Sequence, residues 1–358
     1  MSKLRVAFVL HSLSGGGAQR VLLTLAGAVD RERIAPELVV FDTSGPMAAA
    51  LPEDVPLHDL GHRRLRAALP ALFATLRRLA PDVVCATMGH ANLALLAMKP
   101  LLPGPLRVVI REPNTPSKSL PDLAYSGVLR LGYRLLYHRA DTIVCQSRLM
   151  GQELARDFAV APQAIAYLAN PVDVAALRQS ARSPQRVAGE GPRFVAAGKL
   201  TRQKGFDRLL EMFAGLAGEP CLTILGDGPE LEPLRRRAAA LGLRDRLTLA
   251  GFVTAPWAAF AGADAFLLPS RWEGMSNAAL EALACGTPVI ATPEAGGIAE
   301  VAAAAPEGAV TLAEAGQAFV QALARVAPAA VSRPRQSLLP ARFELERVAP
   351  SFSRLLLG

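Results

Sequence analysis

Two carboxylates, Glu273 and Glu281, stand eight positions apart on either side of a segment that reads as the start of a helix. The apolar run Ala265-Phe266-Leu267-Leu268 ends at Pro269-Ser270, and a polar loop carrying Glu273 and Gly274 follows. Ser276 or Asn277 can cap a helix over Ala278–Ala284, which Gly286 and Pro288 stop. The open amides at Met275, Ser276 and Asn277 then fall between the two acids. Such amides bind phosphate, because unpaired N–H groups and the helix dipole both favour an anion. Acids flanking a phosphate cradle repel the phosphate itself. They suit hydroxyl groups on either side of it, such as those of a ribose and a sugar. The stretch therefore reads as a site for a nucleoside diphosphate sugar.

A second charged group lies upstream. Gly198-Lys199-Leu200-Thr201-Arg202-Gln203-Lys204-Gly205-Phe206 follows the strand-like run Phe194–Ala197. Two cations on a loop can bracket two phosphates and stabilise a departing diphosphate without a metal. Lys199 and Lys204 are the candidates, and Arg202 is expected to point to solvent. A charged surface loop is the alternative. No D-x-D metal motif is present, and the four cysteines (Cys85, Cys145, Cys221, Cys285) show no zinc spacing. They read as buried free thiols of a reducing compartment.

The elements that must position these groups alternate between strand and helix, which points to parallel sheets. In the first half, Val6–Leu10 is a buried strand, Ser12–Gly17 a loop and Ala18–Val29 a helix. Gly15, Gly16 and Gly17 let that loop approach a ligand, or make a tight turn without one. A dinucleotide fingerprint beginning at Gly15 would need glycine where Arg20 stands, which weakens a nicotinamide reading. Further strands are expected at Leu38–Phe41, Asp82–Ala86, Leu106–Ile110 and Thr142–Gln146. The loops Met88–Asn92 and Arg111–Ser117 follow the second and third of these. Loops at the carboxyl ends of such strands face a ligand crevice. In the second half, strands are expected at Phe194–Ala197, Leu222–Leu225, Leu247–Phe252, Ala265–Leu268 and Val289–Ala291, with helices over Glu230–Leu241 and Ala313–Val326. Arg178–Pro192 is polar and reads as a loop.

At 358 residues the chain is long for one domain and comfortable for two. Net charge is +8, which suits a polyanionic partner such as nucleic acid, a diphosphate or an anionic membrane. With Phe 13, Tyr 4 and Trp 2 and no basic–aromatic motif, nucleic acid is not expected. Two stretches, His62–Leu79 and Leu129–Arg139, mix arginine with leucine at helical spacing. They fit a solvated face or an anionic membrane surface. The apolar start of the chain is too short for a signal peptide, and Ala91–Met98 is too short to span a bilayer.

The segment Leu268–Glu300 is similar to the E-x7-E signature of retaining glycosyltransferases of family 4. The match includes Pro269-Ser270, Glu273-Gly274, Leu280-Glu281-Ala282, Gly286 through Thr292, Gly296-Gly297 and Glu300. The loop Gly198–Phe206 resembles the family's diphosphate clamp, and Gly226-Asp227-Gly228-Pro229 also resembles the family. Gly16 to Val21 resembles a G-G-A-E-R segment with Gln19 in place of the acid. Arg111 to Asn114 resembles in part an S-E-R-N segment of enzymes that build lipid-linked oligosaccharides, with Arg111 and Pro113 departing from it.

The resemblance implies an α/β protein of GT-B fold, two Rossmann-like domains facing a central cleft. Residues 1–170 would bind the acceptor and residues 171–340 the nucleotide sugar, with Asn170–Asp173 as linker. Residues 341–358 would form a terminal helix crossing back to the first domain. It implies transfer of a sugar from a UDP- or GDP-sugar to a glycan or lipid-linked saccharide, with retention and without metal or other cofactor. Glu281 would hold the ribose, Glu273 a sugar hydroxyl near C3, and Phe252 and Val253 the nucleobase through backbone atoms, unless Phe252 serves only the core. Gly198, Gly226 and the Met275–Asn277 amides would line the diphosphate. His90 or Glu112 would take the place of a cleft histidine in the first domain. The expected location is the cytoplasm, peripheral on the inner face of the membrane. A sugar-nucleotide epimerase and a nucleotide-sugar-binding scaffold without turnover are the rival readings.

Overall fold

The computed structural model describes residues 2–14, 16–123, 125–185, 190–329 and 335–358. The chain divides into two units. Met1–Pro171 with Leu345–Gly358 forms the first, and Val172–Glu344 the second.

Among the described residues, the first unit holds seven parallel strands: β1 Leu4–Leu10, β2 Ile34–Val40, β3 Leu57–Asp59, β4 Val83–Thr87, β5 Arg107–Arg111, β6 Thr142–Cys145 and β7 Ile165–Tyr167. Their order is β3-β2-β1-β4-β5-β6-β7. A parallel sheet is covered on both faces, so its central strands are continuous apolar runs. In β1, Val6, Phe8 and Leu10 pack on one side and Ala7 and Val9 on the other, as strand alternation requires. The first face is covered by the helix Gly17–Ala28 and by the last helix, Leu345–Leu357. The second face is covered by the helices Leu65–Leu79 and Gly89–Met98.

The last helix returns to the first unit because Val348, Phe352 and Leu356 form a buried stripe at helical spacing. Phe352 lies against Phe8 with ring centroids 6.1 Å apart. Arg107 donates to the carbonyls of Leu356 at 2.9 Å and Leu355 at 3.3 Å, satisfying the open end of the helix.

Among the described residues, the second unit holds six parallel strands: β8 Arg193–Ala197, β9 Cys221–Leu225, β10 Leu247–Gly251, β11 Ala265–Leu268, β12 Val289–Ala291 and β13 Val310–Leu312. Their order is β10-β9-β8-β11-β12-β13. Both sheets are doubly wound. The strand order reverses between β1 and β4 in one unit and between β8 and β11 in the other. Ligand crevices open at the carboxyl ends of strands at such points.

Several elements differ from expectation. Arg178 is helical, within Val174–Ser180, because Asp173 caps that helix by accepting from the Ala176 N–H at 2.9 Å. The helix expected from His62 begins at Leu65. The basic stretch around Leu129 is a helix over Ser126–Leu136 followed by a short turn through Arg139. The short strands β3, β7 and β13 carry only three residues each, too few to show a period in sequence. Cys85, Cys145 and Cys285 are buried, but Cys221 is half-buried.

Replacing Phe352 with alanine leaves a cavity against Phe8. It is expected to cost the first unit about 3–5 kcal/mol, read as a lower denaturation midpoint in guanidinium by circular dichroism.

Candidate active site

At the reversal point of the second unit, the loop after β8 meets the loop after β11. Gly205 makes this approach possible. Its φ is +68°, and a Cβ there would stand 2.0 Å from the Pro269 carbonyl oxygen. The two loops are then joined by polar bonds. Arg208 donates to the carbonyls of Pro269 and Ser270, each at 2.8 Å, and to the Thr292 hydroxyl at 3.1 Å. Arg271 makes a two-pronged pair with Asp207, both contacts 2.7 Å, and donates to the Arg202 carbonyl at 2.8 Å. Burial pushes the Asp207 carboxyl up, but the Arg271 bonds and charge outweigh it and hold it below the ordinary value.

This scaffold presents Glu273, whose side chain is nearly buried. Its Oε1 accepts from Lys204 Nζ at 2.5 Å and from the Ser270 hydroxyl at 2.8 Å. Its Oε2 lies 3.4 Å from Gln203 Nε2, which also donates to the Trp272 carbonyl at 3.0 Å. From sequence, Lys204 and Glu273 have separate tasks. In the structure they are one ion pair. The Lys204 stem runs over Gly198, within 3.1 Å of where a Cβ would sit, and Lys199 is exposed on the same loop. Gly198 and Gly226 are in backbone contact: a Cβ on Gly226 would meet the Gly198 carbonyl oxygen at 1.9 Å.

After Glu273 the chain passes buried Met275 and enters the helix Asn277–Ala284. Ser276, not Asn277, is its cap, with its hydroxyl accepting from the Ala279 N–H at 3.4 Å. The positive end of the helix dipole therefore lies beside Glu273 in the chain. One turn on, Glu281 Oε2 accepts from the Trp257 indole N–H at 2.9 Å. Phe252 follows β10 directly and is 50% exposed, so it is not a core residue; Val253 beside it is also exposed. Sequence reasoning assigned no role to Ser270, Gln203 or Trp257. Ser270 and Gln203 stand inside the quoted motifs, whereas nothing in the pattern links Trp257 to Glu281.

In the first unit, Gly16 is the cap position of the helix Gly17–Ala28, and the buried Gln19 side chain folds back over it. Gly15 lies outside the described residues. His90 follows β4, beside Met88, whose φ of +80° is unusual for a side-chain-bearing residue. At the β1/β4 reversal, His90 touches the ring of His11, with centroids 4.9 Å apart in an edge contact. His90 Nε2 is buried without a hydrogen-bond partner. Burial, reinforced by His11, lowers His90 to about 4, and burial also lowers His11 against the pull of Asp42. Both imidazoles are thus neutral at pH 7.

Glu112 corrects an expectation. The sequence places it in a loop facing a ligand crevice, but it is 2% exposed. The Tyr137 phenol donates to its Oε2 at 2.5 Å and Tyr133 at 3.2 Å, and the two phenol rings stack 4.0 Å apart. Gly89 makes room for this cluster, since a Cβ there would stand 2.2 Å from the Tyr133 hydroxyl. The neighbouring Arg111 is buried as well and donates to Asn170. Glu112 therefore anchors β5 to the helix Ser126–Leu136 and the turn after it, and presents no oxygen outward. Among the described residues, no group of three or more His, Cys, Asp or Glu is placed to hold a metal ion.

Two doubly wound Rossmann-like units, with charged loops gathered at a reversal of strand order, are the parts of a GT-B glycosyltransferase. The profile described as Glycosyltransferase Family 4 matches residues 15–176, and that described as Glycosyl transferases group 1 matches residues 178–329. The chain belongs to this glycosyltransferase family. It is 26% identical over 310 residues to N-acetylgalactosamine-N,N'-diacetylbacillosaminyl-diphospho-undecaprenol 4-alpha-N-acetylgalactosaminyltransferase of Campylobacter jejuni, covering 83% of each chain. It is 27% identical over 319 residues to 2-deoxystreptamine N-acetyl-D-glucosaminyltransferase of Streptomyces fradiae, covering 80% of this chain and 73% of the relative. Among solved structures, Anabaena HepE in complex with UDP and glucose superposes with a TM-score of 0.78 at 17% identity, covering 99% of each chain.

Burial pushes Glu112 up from 4.5 to about 7, against the opposing bonds from Tyr137 and Tyr133. Folding therefore takes up a proton between those two values. The stability this group contributes is fully present below pH 4.5 and is lost as pH rises to about 7. Glu112→Gln, neutral throughout, is expected to flatten the fall of the unfolding midpoint over that range, measured by thermal melts at stepped pH.

Proposed function

We propose that the protein moves a sugar from a UDP- or GDP-sugar to an acceptor hydroxyl with retention at the anomeric carbon. The observation that carries the reading is the Lys204–Glu273–Ser270 cluster beside the start of the helix Asn277–Ala284. An ammonium, a carboxylate and a helix N-terminus in one place suit a ligand that has both phosphate and hydroxyl groups. In this reading the second unit binds the donor and the first the acceptor. Glu281 holds the ribose hydroxyls and Glu273 a hydroxyl of the sugar. The exposed backbone at Phe252 and Val253 meets the base.

As the anomeric bond breaks, positive charge grows on the sugar ring and negative charge on the leaving diphosphate. Lys199, Lys204 and the amides at Met275–Asn277 stabilise that negative charge. Lys204 is already held by Glu273, so its charge is preplaced and reorganises little. The leaving phosphate takes the proton of the acceptor hydroxyl as that oxygen attacks from the same face. This route needs no strong enzymic base. It is also consistent with neutral His11 and His90, which can hydrogen-bond an acceptor without carrying charge. No metal or other cofactor is expected.

The acceptor proposed is a lipid-linked saccharide of surface polysaccharide synthesis. The name of the Campylobacter relative supports it, since that enzyme acts on a diphospho-undecaprenol saccharide. So does one surface. The helix Ser126–Leu136 carries Val128, Leu131 and Leu135 outward, 69%, 55% and 57% exposed. Arg130 and Arg134 flank that stripe, and the helix has no acidic residue. Leucines placed outward beside arginines suit an anionic bilayer surface. The helix Leu65–Leu79, by contrast, buries Leu72 and Leu76 and turns its arginines to solvent. No helix of the described residues is long and apolar enough to cross a membrane.

Release of nucleoside diphosphate is to be measured from a panel of UDP- and GDP-sugars, with and without a polyprenyl-diphosphate sugar. Acceptor-dependent release from one donor is expected, falling by roughly 100-fold or more in Glu281→Ala, a loss of two to three kcal/mol of the kind one charged contact supplies. Failure to bind any sugar nucleotide would sink the reading. Co-sedimentation with phosphatidylglycerol-rich vesicles but not with phosphatidylcholine vesicles is expected for the membrane surface. Leu131→Glu with Leu135→Glu is expected to abolish it while leaving turnover on a water-soluble acceptor intact.

A further inference from the structure

Trp257 opens the short helix Trp257–Gly262. Five residues before it lies exposed Phe252, at the end of β10. The indole N–H of Trp257 donates to Glu281 Oε2 at 2.9 Å, bridging 24 positions of sequence. The short helix cannot follow Glu281 if that side chain moves, because it is fixed to the far end of the next helix. The Thr287 hydroxyl donates to the Phe260 carbonyl at 2.7 Å, and the Cys285 thiol lies 3.6 Å from the Trp257 carbonyl. Both partners therefore stand on a rigid base, and the indole sets the orientation of the carboxylate.

The last torsion of a glutamate is broad and nearly two-fold, so a bond to one carboxylate oxygen narrows the settings the group samples. Two vicinal hydroxyls of a ribose need one setting, in which both carboxylate oxygens face them. The indole is a donor only, and a carboxylate oxygen has two acceptor sites. The bond therefore orients Oε2 without using up its capacity to accept from a ligand hydroxyl.

We propose that Trp257 is a positioning residue for the donor's ribose: it presets the Glu281 carboxylate and so sets the preference for a 2'-hydroxyl. Because the same indole ends the segment that starts at Phe252 and Val253, contact with the base and contact with the ribose are mechanically joined. This inference rests on the reading that Glu281 holds the ribose.

The test is binding of UDP, GDP and their 2'-deoxy forms by calorimetry to the full-length protein and to Trp257→Phe, Glu281→Gln and the double variant. Phenylalanine keeps the ring and removes the N–H. Trp257→Phe is expected to weaken the ribonucleotide roughly 3- to 10-fold, the cost of ordering one side chain on binding, and to leave the deoxynucleotide almost unchanged. In the Glu281→Gln background it is expected to add nothing to the loss of preference. Trp257→His, which restores a ring N–H, is expected to recover part of the preference. Equal weakening of both nucleotides by Trp257→Phe, or no weakening of either, overturns the inference while Glu281→Gln still erases the preference. If Glu281→Gln leaves the preference intact, the ribose reading itself has failed, and the positioning role falls with it.

Discussion

The closure of two loops at the β8/β11 reversal is the constraint on which the second unit's site depends. A doubly wound sheet leaves a gap there, because its helices run to opposite faces on either side. The Pro269 and Ser270 carbonyls lie there, beyond the end of the β11 ladder. Arg208 satisfies three oxygens across it, and Arg271 satisfies a carbonyl and a carboxylate. Unsatisfied buried carbonyls cost about 1–3 kcal/mol each, so the loops have one well-bonded arrangement. The site's rigidity is a by-product of that accounting of hydrogen bonds.

Within this frame the Lys204–Glu273 pair has a double character. A buried pair gains little net stability, since desolvation of both charges offsets their attraction. Its stability contribution is therefore a poor reason for its presence. Its geometry is a better one. Lys204 is held where it reaches Glu273 at 2.5 Å, and Ser270 supplies a further bond to the same oxygen. An incoming phosphate finds a cation already partly buried and oriented, which is the condition under which an electrostatic contact is worth most. Truncating either partner strands the other charge. Effects of such variants on turnover thus mix folding with chemistry, whereas Glu281, held from outside the pair by Trp257, reports more directly on ligand.

Much of this was legible in the sequence because the chemistry is local there. The apolar runs of β1, β4, β8 and β11 and the string from Pro269 to Glu300 specify their own elements. A cap at Ser276 or Asn277 is a feature of a few neighbouring residues, and Ser276 is the one that forms it. What was not legible is contact across long sequence separations. Arg208 with Ser270, Trp257 with Glu281 and His11 with His90 become neighbours only through sheet order. The three-residue strands β3, β7 and β13 leave no period to read. Polar composition around Arg178 suggested a loop, and the local cap at Asp173 overrode it.

Glu112 and Glu273 make the limit concrete. Each follows a parallel strand, each stands in a polar loop, and each is almost fully buried. Sequence places them alike. Their neighbours separate them. Phenols bond Glu112, but burial outweighs their bonds, so its carboxyl is pushed up to about 7. Two phenolic donors can hydrogen-bond a carboxyl in either protonation state, which fits a structural anchor. Glu273 instead meets an ammonium, a hydroxyl and a carboxamide. Those bonds fix the carboxylate in place, and a fixed carboxylate is what a sugar hydroxyl needs as an acceptor. The role of a buried acid is thus decided by the charge of what donates to it, and that is a property of the fold before it is a property of the motif.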